Sequence, residues 1–173
     1  MTLQIHSEEK AQNRAFRLLA LRPRSEKELR DRLLQNYNRD TTDHVIQKCK
    51  NDGYLNDKKF ALARTRQLAL YRLQGNRVIE RDLSGKGLDR GIIVEAIQMI
   101  RRELSEGEAI KKLITKKQQG RSVLDRHEKG KMGRYLLSKG FAAELIFEIL
   151  NQELCGFHHT ECEEGAFHHD DGQ

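Results

Sequence analysis

The sequence contains no tryptophan and a single proline, Pro23, and only 6% of its 173 residues are aromatic. Scarce proline, together with abundant Leu, Ile, Arg, Lys and Glu, favours helices. No stretch alternates apolar and polar residues between turn signals, so we predict no β-strand. Neither an apolar run of roughly 18 residues nor a signal-peptide pattern is present, and we therefore expect a cytoplasmic protein with no membrane partner.

Cysteine is also scarce, and the three cysteines are an odd number with wide spacing, which favours reduced thiols over a disulfide framework. Two of them belong to the C-terminal segment 154–173. The spacings Cys155-x2-His158 and His159-x2-Cys162 are compatible with zinc, but the segment is polar, acidic and without flanking structure. We interpret it as a disordered tail and expect no metal and no cofactor; a zinc site is the alternative.

Motifs of common catalytic and nucleotide-binding sites are missing. Gly85, Gly87 and Gly91 have the wrong spacing for a dinucleotide-binding loop, no strand precedes them, and no G-x-x-x-x-G-K-[ST] phosphate loop occurs. Paired acids such as Glu26 and Glu28 are typical of helix starts, where the helix dipole favours negative charge. We therefore predict that the protein is not an enzyme and has no catalytic residues.

Charge is what the chain has in abundance: 34% of its residues are Asp, Glu, Lys or Arg, and the net charge is +6. Residues 154–173 contain five acidic residues and no Lys or Arg, so residues 1–153 carry +11. A basic body suggests an anionic partner, with nucleic acid or a nucleoprotein first, although a solvated helical surface would also fit. A hydrophobic content of 37% fits small helical units with thin cores.

The helical patterns repeat along the chain. Residues 79–97 align with residues 132–150 at a constant offset of 53, without gaps. The stretch around Leu29 and Leu33 fits the same pattern with one residue deleted at the turn, where Asn36 replaces the glycine of the other units. We predict that Asn36 adopts the left-handed conformation that helix ends favour. The pattern predicts an all-α fold of three tandem three-helix repeats, with helix-turn-helix-like units.

The turn signals set the expected boundaries. We place a flexible N-terminus at 1–13, the repeats at 14–53, 54–103 and 104–153, and the acidic tail at 154–173. Capping boxes are expected where a serine precedes a glutamate by three residues, at Ser25-Glu28 and Ser105-Glu108. Helix breaks are expected near Pro23, Gly53, Gly75, Gly87, Gly120 and Gly140.

The middle of the chain, from Asp52 to Gly87, carries the strongest functional pattern. Its apolar stripe is predicted to contain Phe60, Ala63, Leu68 and Tyr71, and Leu34 and Leu137 are placed on the apolar faces of the flanking units. Basic residues surround the stripe. The candidate partner-binding or nucleic-acid-binding residues are Arg64, Arg66, Arg72, Arg77, Arg81 and Lys86, with Arg24, Arg30 and Arg32 in the first unit.

Three motifs in order resemble the RecX family of bacterial regulators of the RecA recombinase. They are AFRLLALRPRSEKELRDRLL at 15–34, DGYLNDKKFA at 52–61 and RLQGNRVIERDLSGKG at 72–87. The third repeat is similar more loosely, through Tyr135-Leu136-Leu137 and Lys139-Gly140-Phe141, so the resemblance covers about residues 11–153. The short first turn and the acidic Cys/His tail depart from the family pattern.

The resemblance implies an elongated, curved monomer that binds in the groove of the RecA–single-stranded-DNA filament. It implies inhibition or modulation of RecA ATP hydrolysis, strand exchange and SOS-related activity, with weak binding to single- or double-stranded DNA. The alternative is a general DNA-binding module of the helix-turn-helix type that acts without RecA. No unit has an obvious dimerisation element, which counts against a regulator that reads palindromes.

Overall fold

The computed structural model describes residues 2–118 and 126–155, and all regular secondary structure within them is helical. The helices are α1 Thr2–Leu21, α2 Glu26–Leu33, α3 Arg39–Asn51, α4 Asp57–Arg66, α5 Asn76–Gly85, α6 Arg90–Arg101, α7 Glu106–Gln118, α8 Arg126–Ser138 and α9 Ala143–Cys155. A π-helical turn, Gln67–Tyr71, continues α4. The predicted all-α fold is confirmed, whereas Gly120 and most of the Cys/His tail lie outside the described residues.

Three separate cores follow one another, each between three consecutive helices. Leu29, Leu33 and Ile46 are buried in the first unit, α1–α3. The second unit, α4–α6, buries its own set, and the third, α7–α9, does the same. The fully buried leucines Leu83 and Leu136 hold equivalent positions in the second and third units. A chain with little apolar content thus builds three thin cores, as its composition indicates; the residue boundaries assigned to the repeats stay a prediction.

The second helix of two units ends in the same hydrogen-bonded turn. The N–H of Gly87 donates to Ser84 O at 2.9 Å and the N–H of Leu88 to Leu83 O at 3.3 Å, with Gly87 at φ 76°. Gly140, at φ 90°, forms the equivalent turn. This is the Schellman motif, which needs a left-handed residue. The prediction for Asn36 is wrong, because Leu73 is the one non-glycine residue with positive φ in the described chain.

The first unit ends its second helix differently. The N–H groups of Asn36 and Tyr37 both donate to Leu33 O at 3.0 Å, so the turn closes on one carbonyl. The deleted residue removes the position at which the other units place a left-handed glycine. The same carbonyl therefore satisfies two amides without a positive φ angle.

The two predicted capping boxes have different outcomes. Ser105 and Glu108 form the complete box, with Glu108 N donating to Ser105 Oγ at 3.2 Å and Ser105 N donating to Glu108 Oε2 at 2.8 Å. At the other, Glu28 N donates to Ser25 Oγ at 3.2 Å, but the carboxylate of Glu28 faces Arg22 and Lys86 instead. The glutamate half of that box is thus replaced by one contact within the first unit, to Arg22, and one contact to the second unit, through Lys86.

The predicted stripe in α4 is partly wrong. Phe60 and Leu68 are buried, but Ala63 is exposed and Tyr71 is 80% exposed. The true face is rotated: Ala61 is buried beside Phe60, and the π-helical turn, with Arg72 N donating to Gln67 O, shifts the helical phase before Tyr71. Leu34 and Leu137 were also misplaced, since they are 44% and 46% exposed at equivalent repeat positions.

The joint between the first and second units holds the N-terminus of α2. The N–H of Glu26 donates to Asp57 Oδ1 at 2.9 Å, and Ser25 Oγ donates to Lys86 O at 2.7 Å. Lys50 Nζ lies 2.9 Å from Glu26 Oε2. A carboxylate from the next unit thus satisfies an amide that has no partner within its own helix.

The joint between the second and third units repeats this arrangement at α5. The N–H of Asn76 donates to Glu106 Oε1 at 2.8 Å, and the N–H of Gly75 donates to Lys139 O at 2.9 Å. Arg101 Nε donates to Asn76 Oδ1 at 2.7 Å, in the place that Lys50 holds at the first joint. The backbones approach closely here, because a Cβ added to Gly75 would lie 2.3 Å from the carbonyl carbon of Gly140.

Replacing Leu83 or Leu136 with Ala should lower the free energy of unfolding by ~2–4 kcal/mol, because each side chain is fully buried. The two costs should be nearly additive, since the leucines belong to separate cores. Urea unfolding followed by circular dichroism measures both. Leu137→Ala is the matched control and should cost under ~1 kcal/mol; equal costs at Leu136 and Leu137 would show that the assigned core face is wrong.

Gly75→Ala should destabilise the protein by ~1–3 kcal/mol, because the added methyl group would meet backbone atoms of Gly140 that no rotamer change can move. Gly85→Ala is the control: nothing lies within 4 Å of its added Cβ, so stability should hold or rise by up to ~1 kcal/mol. Thermal melts of both variants test the pair. A Gly75→Ala protein as stable as Gly85→Ala would contradict the close backbone contact.

Candidate functional site

Eight of the nine basic residues proposed from the sequence fall into two groups in the structure, four with an acidic partner and four without one among the described residues. Arg64 belongs to the paired group: its Nε and Nη2 donate to the two carboxylate oxygens of Asp82, both at 2.8 Å, and its Nη1 donates to Gln67 Oε1. The bond to Asp82 raises the pKa of Arg64, and the same bond lowers the pKa of Asp82. This two-point contact fixes the guanidinium between α4 and α5.

The other paired cations also have acidic partners. Arg66 pairs with Glu103, and Lys86 Nζ lies 2.8 Å from Glu28 Oε1. Arg30 pairs with Asp43 and with Glu26, and the bond to Asp43 is the largest cause of its raised pKa. Part of the hydrogen-bonding capacity of these cations is therefore used within the fold.

The remaining arginines of the set, apart from Arg24, are exposed and make no ion pair or side-chain hydrogen bond with residues 2–118 or 126–155; they are Arg32, Arg72, Arg77 and Arg81. Arg77 and Arg81 are four positions apart and share the face of α5 opposite its buried residues. The nearby Asp82 is occupied by Arg64, so it does not neutralise Arg81. We call Arg72, Arg77 and Arg81 the free arginine group.

A second concentration of positive charge surrounds Arg24 in the first unit. Its Nε donates to Leu18 O at 3.1 Å. Burial lowers the pKa of Arg24, and the charges of Arg22, Arg32 and Arg14 lower it further against the opposing carboxylate of Glu28. Arg24 therefore lies close enough to Arg22, Arg32 and Arg14 for their positive charges to interact. No spacing rule indicates Arg22, because it lies in the turn after α1.

A cleft of about 470 Å³ opens between the first and second units. Its walls come from the turn after α1, one face of α4 and the end of α5, and it is lined by Arg22, Pro23, Phe60, Ala63, Arg64, Gln67 and Lys86. Ala63, which was predicted to lie in the core, faces this space, and the small exposed part of the buried Phe60 faces it too. We call it the inter-unit cleft.

Glu28 binds two of the cations that line the inter-unit cleft. Arg22 Nη1 donates to its Oε2 at 3.0 Å, and Lys86 Nζ donates to its Oε1 at 2.8 Å. Burial by itself raises the pKa of Glu28, but these two hydrogen bonds and the charges behind them outweigh it and bring the pKa from 4.5 to about 2. One carboxylate thus ties α2, the turn before it and the end of α5.

The described residues contain no cluster of three or more His, Cys, Asp or Glu side chains that could hold a metal ion. Cys155 and the tail residues after it lie outside that statement. In the same part of the chain, no helix is both long and apolar enough to cross a membrane. The chemistry that the described surface offers is cationic: arginines and lysines suited to carboxylates or phosphates.

Glu28→Gln should lower the free energy of unfolding by about 1 kcal/mol at neutral pH, because the amide keeps the shape but loses the charge that Arg22 and Lys86 stabilise. A carboxyl whose folded pKa lies below its unfolded value stabilises the fold above the unfolded pKa and loses that effect as pH falls through the folded pKa. The difference between wild type and variant should therefore shrink from about pH 4.5 towards pH 2. Urea titrations across this range measure it; a constant difference would contradict the ion pairs.

Two family models match the chain. The model described as RecX, first three-helix domain, covers residues 11–49. The model described as RecX, third three-helix domain, covers residues 105–150. The two matches fall on the first and third units of the fold, in the same order along the chain.

Relatives named Regulatory protein RecX extend the match. The protein from Syntrophotalea carbinolica is 29% identical over 142 residues, covering 80% of this chain and 93% of the relative. The Bacillus velezensis protein is 35% identical over 83% of this chain and 55% of its own length. The Listeria monocytogenes protein is 34% identical over 79% of this chain, which spans only about half (51%) of that relative.

Solved structures agree with these matches. The crystal structure of RecX from Lactobacillus salivarius superposes with a TM-score of 0.77 at 27% identity, covering 87% of this chain and 99% of that one. A second crystal structure, of regulatory protein RecX, has a TM-score of 0.73 at 22% identity and supports the fold alone. Sequence motifs, unit order and three-dimensional structure converge, and the chain belongs to the RecX family of regulatory proteins.

Proposed function

We propose that this protein binds the filament that RecA forms on single-stranded DNA and restrains the ATP hydrolysis and strand exchange of RecA. The resemblance to the RecX family implies this role, and the basic body of the chain, +11 over residues 1–153, suits a partner made of protein carboxylates and DNA phosphates. On this proposal the protein acts in the cytoplasm as a monomer, without chemistry of its own, and binds free DNA weakly.

The observation that carries the proposal is the free arginine group. Three exposed arginines, Arg72, Arg77 and Arg81, lie in the middle unit with their guanidinium groups unpaired among the described residues. Lone like charges side by side on a helix stabilise nothing in the fold, since i,i+4 repulsion is mildly unfavourable. An anionic partner would supply the missing counter-charge, and the arginine fork fits both carboxylates and phosphates.

The paired cations have a different role in this proposal. Arg64 and Lys86 are held by Asp82 and Glu28, so they present positive charge in fixed positions. Arg66 and Arg30 are largely neutralised by their acidic partners. We therefore assign the main filament contact to the free arginine group and a supporting contact to the cluster around Arg24.

Two features disfavour the helix-turn-helix alternative. In that class a helix enters the major groove and presents its N-terminal residues to base edges. The N-termini of α2 and α5 are instead docked on the following units through Asp57 and Glu106. In the middle unit, the helix after the tight turn, α6, exposes Arg90 at its N-terminus, but the rest of its exposed face carries Val94, Glu95 and Met99.

The double variant Arg77→Glu with Arg81→Glu should melt within about 1 kcal/mol of wild type, because both side chains are exposed and unpaired. It should bind the RecA–DNA filament at least tenfold more weakly, and the remaining binding should depend less on salt. Filament co-sedimentation at two salt concentrations measures binding. The rate of DNA-dependent ATP hydrolysis by RecA measures inhibition.

Lys112→Glu with Lys116→Glu is the matched control, with the same charge change and the same spacing on an exposed face of α7. Equal losses for the two double variants would point to net charge and would overturn the assignment to α5. A wild-type protein that leaves RecA ATP hydrolysis unchanged would overturn the proposed function itself.

A further inference from the structure

The inter-unit cleft has the properties of a binding site that the fold does not use. Its volume of about 470 Å³ falls within the range of small-ligand sites. Arg22, Arg64 and Lys86 reach it from three different elements, so three cations converge on one space. Pro23, Phe60 and Ala63 supply an apolar floor.

Hydrogen bonds hold the three cations in place but do not use all of their N–H donors. In the described chain, Lys86 uses one of its three N–H donors on Glu28, and Arg64 uses three of its five on Asp82 and Gln67. Arg22, half exposed, is tied to Glu28 and to Pro23 O. With two carboxylates against three cations, the network keeps a net positive charge and spare donors on three residues that line the cleft.

We infer that the inter-unit cleft binds a phosphate group. Asp82 already occupies the Nε–Nη2 edge of Arg64, so this fork cannot bind a second anion in a two-point contact. The remaining donors are single N–H groups from three directions, an arrangement that suits the several oxygens of a tetrahedral phosphate. The apolar floor would contact the sugar of a nucleotide.

The phosphate can come from the DNA backbone or from a small phosphorylated molecule. The inference rests on the proposed function only in naming the DNA of the filament as the first source. It adds to that function a fixed contact at the joint between the first and second units, distinct from the free arginine group on α5.

Ala63 offers a direct test, because its exposed Cβ lines the cleft and makes no polar contact. Ala63→Glu should weaken binding of a fluorescent single-stranded dT oligonucleotide by about tenfold or more, by placing a carboxylate among the three cations. Ala63→Lys should strengthen it at least threefold. Ala143→Glu and Ala143→Lys, at an exposed alanine of α9, are the matched controls for net charge.

Two further probes separate the sources. If pyrophosphate competes with the oligonucleotide, and the Ala63 variants change both affinities in the same direction, the site binds phosphate groups in general. An oligonucleotide response without a pyrophosphate response assigns it to the DNA backbone. If the Ala63 variants change the affinity for poly-glutamate but for neither phosphate probe, the inference is overturned in favour of an acidic peptide.

Equal behaviour of the Ala63 and Ala143 variants with every probe, in proteins whose melts are alike, would also overturn it. RecA inhibition distinguishes the two proposals. Inhibition that is lost in the Arg77/Arg81 variant but kept in Ala63→Glu, with oligonucleotide binding unchanged, would reject the phosphate site and keep the filament role. No inhibition by wild type, with Ala63-dependent oligonucleotide binding, would reject only the filament role.

Discussion

The N-terminus of the second helix in a unit is the point on which the array depends. Its first amides have no partner within the helix, and burying them unpaired would cost about 1–3 kcal/mol each. Asp57 and Glu106 are each the first residue of the first helix in the next unit. Each accepts a hydrogen bond from one of those amides and adds a favourable charge to the helix dipole. A requirement of one helix is therefore met by its neighbour, and the thin cores become a single array.

Both joints have this carboxylate contact, but their other contacts differ. At the second, the absence of a side chain on Gly75 lets backbone bond directly to backbone, and Arg101 closes the contact. At the first, Ser25 and the ion pairs of Glu28 do the same work through side chains. Ion pairs at a partly exposed site weaken with salt and acid, whereas the backbone contact does not. The first joint therefore depends more on ion pairs than the second, which has the carboxylate contact of Glu106 but adds a backbone hydrogen bond from Gly75 to Lys139.

The sequence predicted the fold from features that are local. Three features depend only on neighbours in sequence: apolar residues at helical spacing, helix caps and the glycine at each turn. These features located the helices and the repeat. It failed at Tyr71, where a π-helical turn that continues the same helix shifts the helical phase. It also failed at Glu28, whose carboxylate pairs with Lys86, a residue far away in sequence, instead of closing the capping box. The inter-unit cleft had no sequence signal, since its residues come from three elements.

The same reasoning explains why composition could nominate arginines but not rank them. Arg64 and Arg81 differ little in sequence context, and both were proposed as contacts. Folding places Asp82 against Arg64, and a carboxylate satisfied by one arginine no longer neutralises another. Each structural pair therefore leaves a neighbouring cation uncompensated, so the ion pairs that hold α4 to α5 also determine which positive charges remain for a partner. Whether an arginine stabilises the fold or stays available to a partner therefore depends on whether folding places an acid beside it.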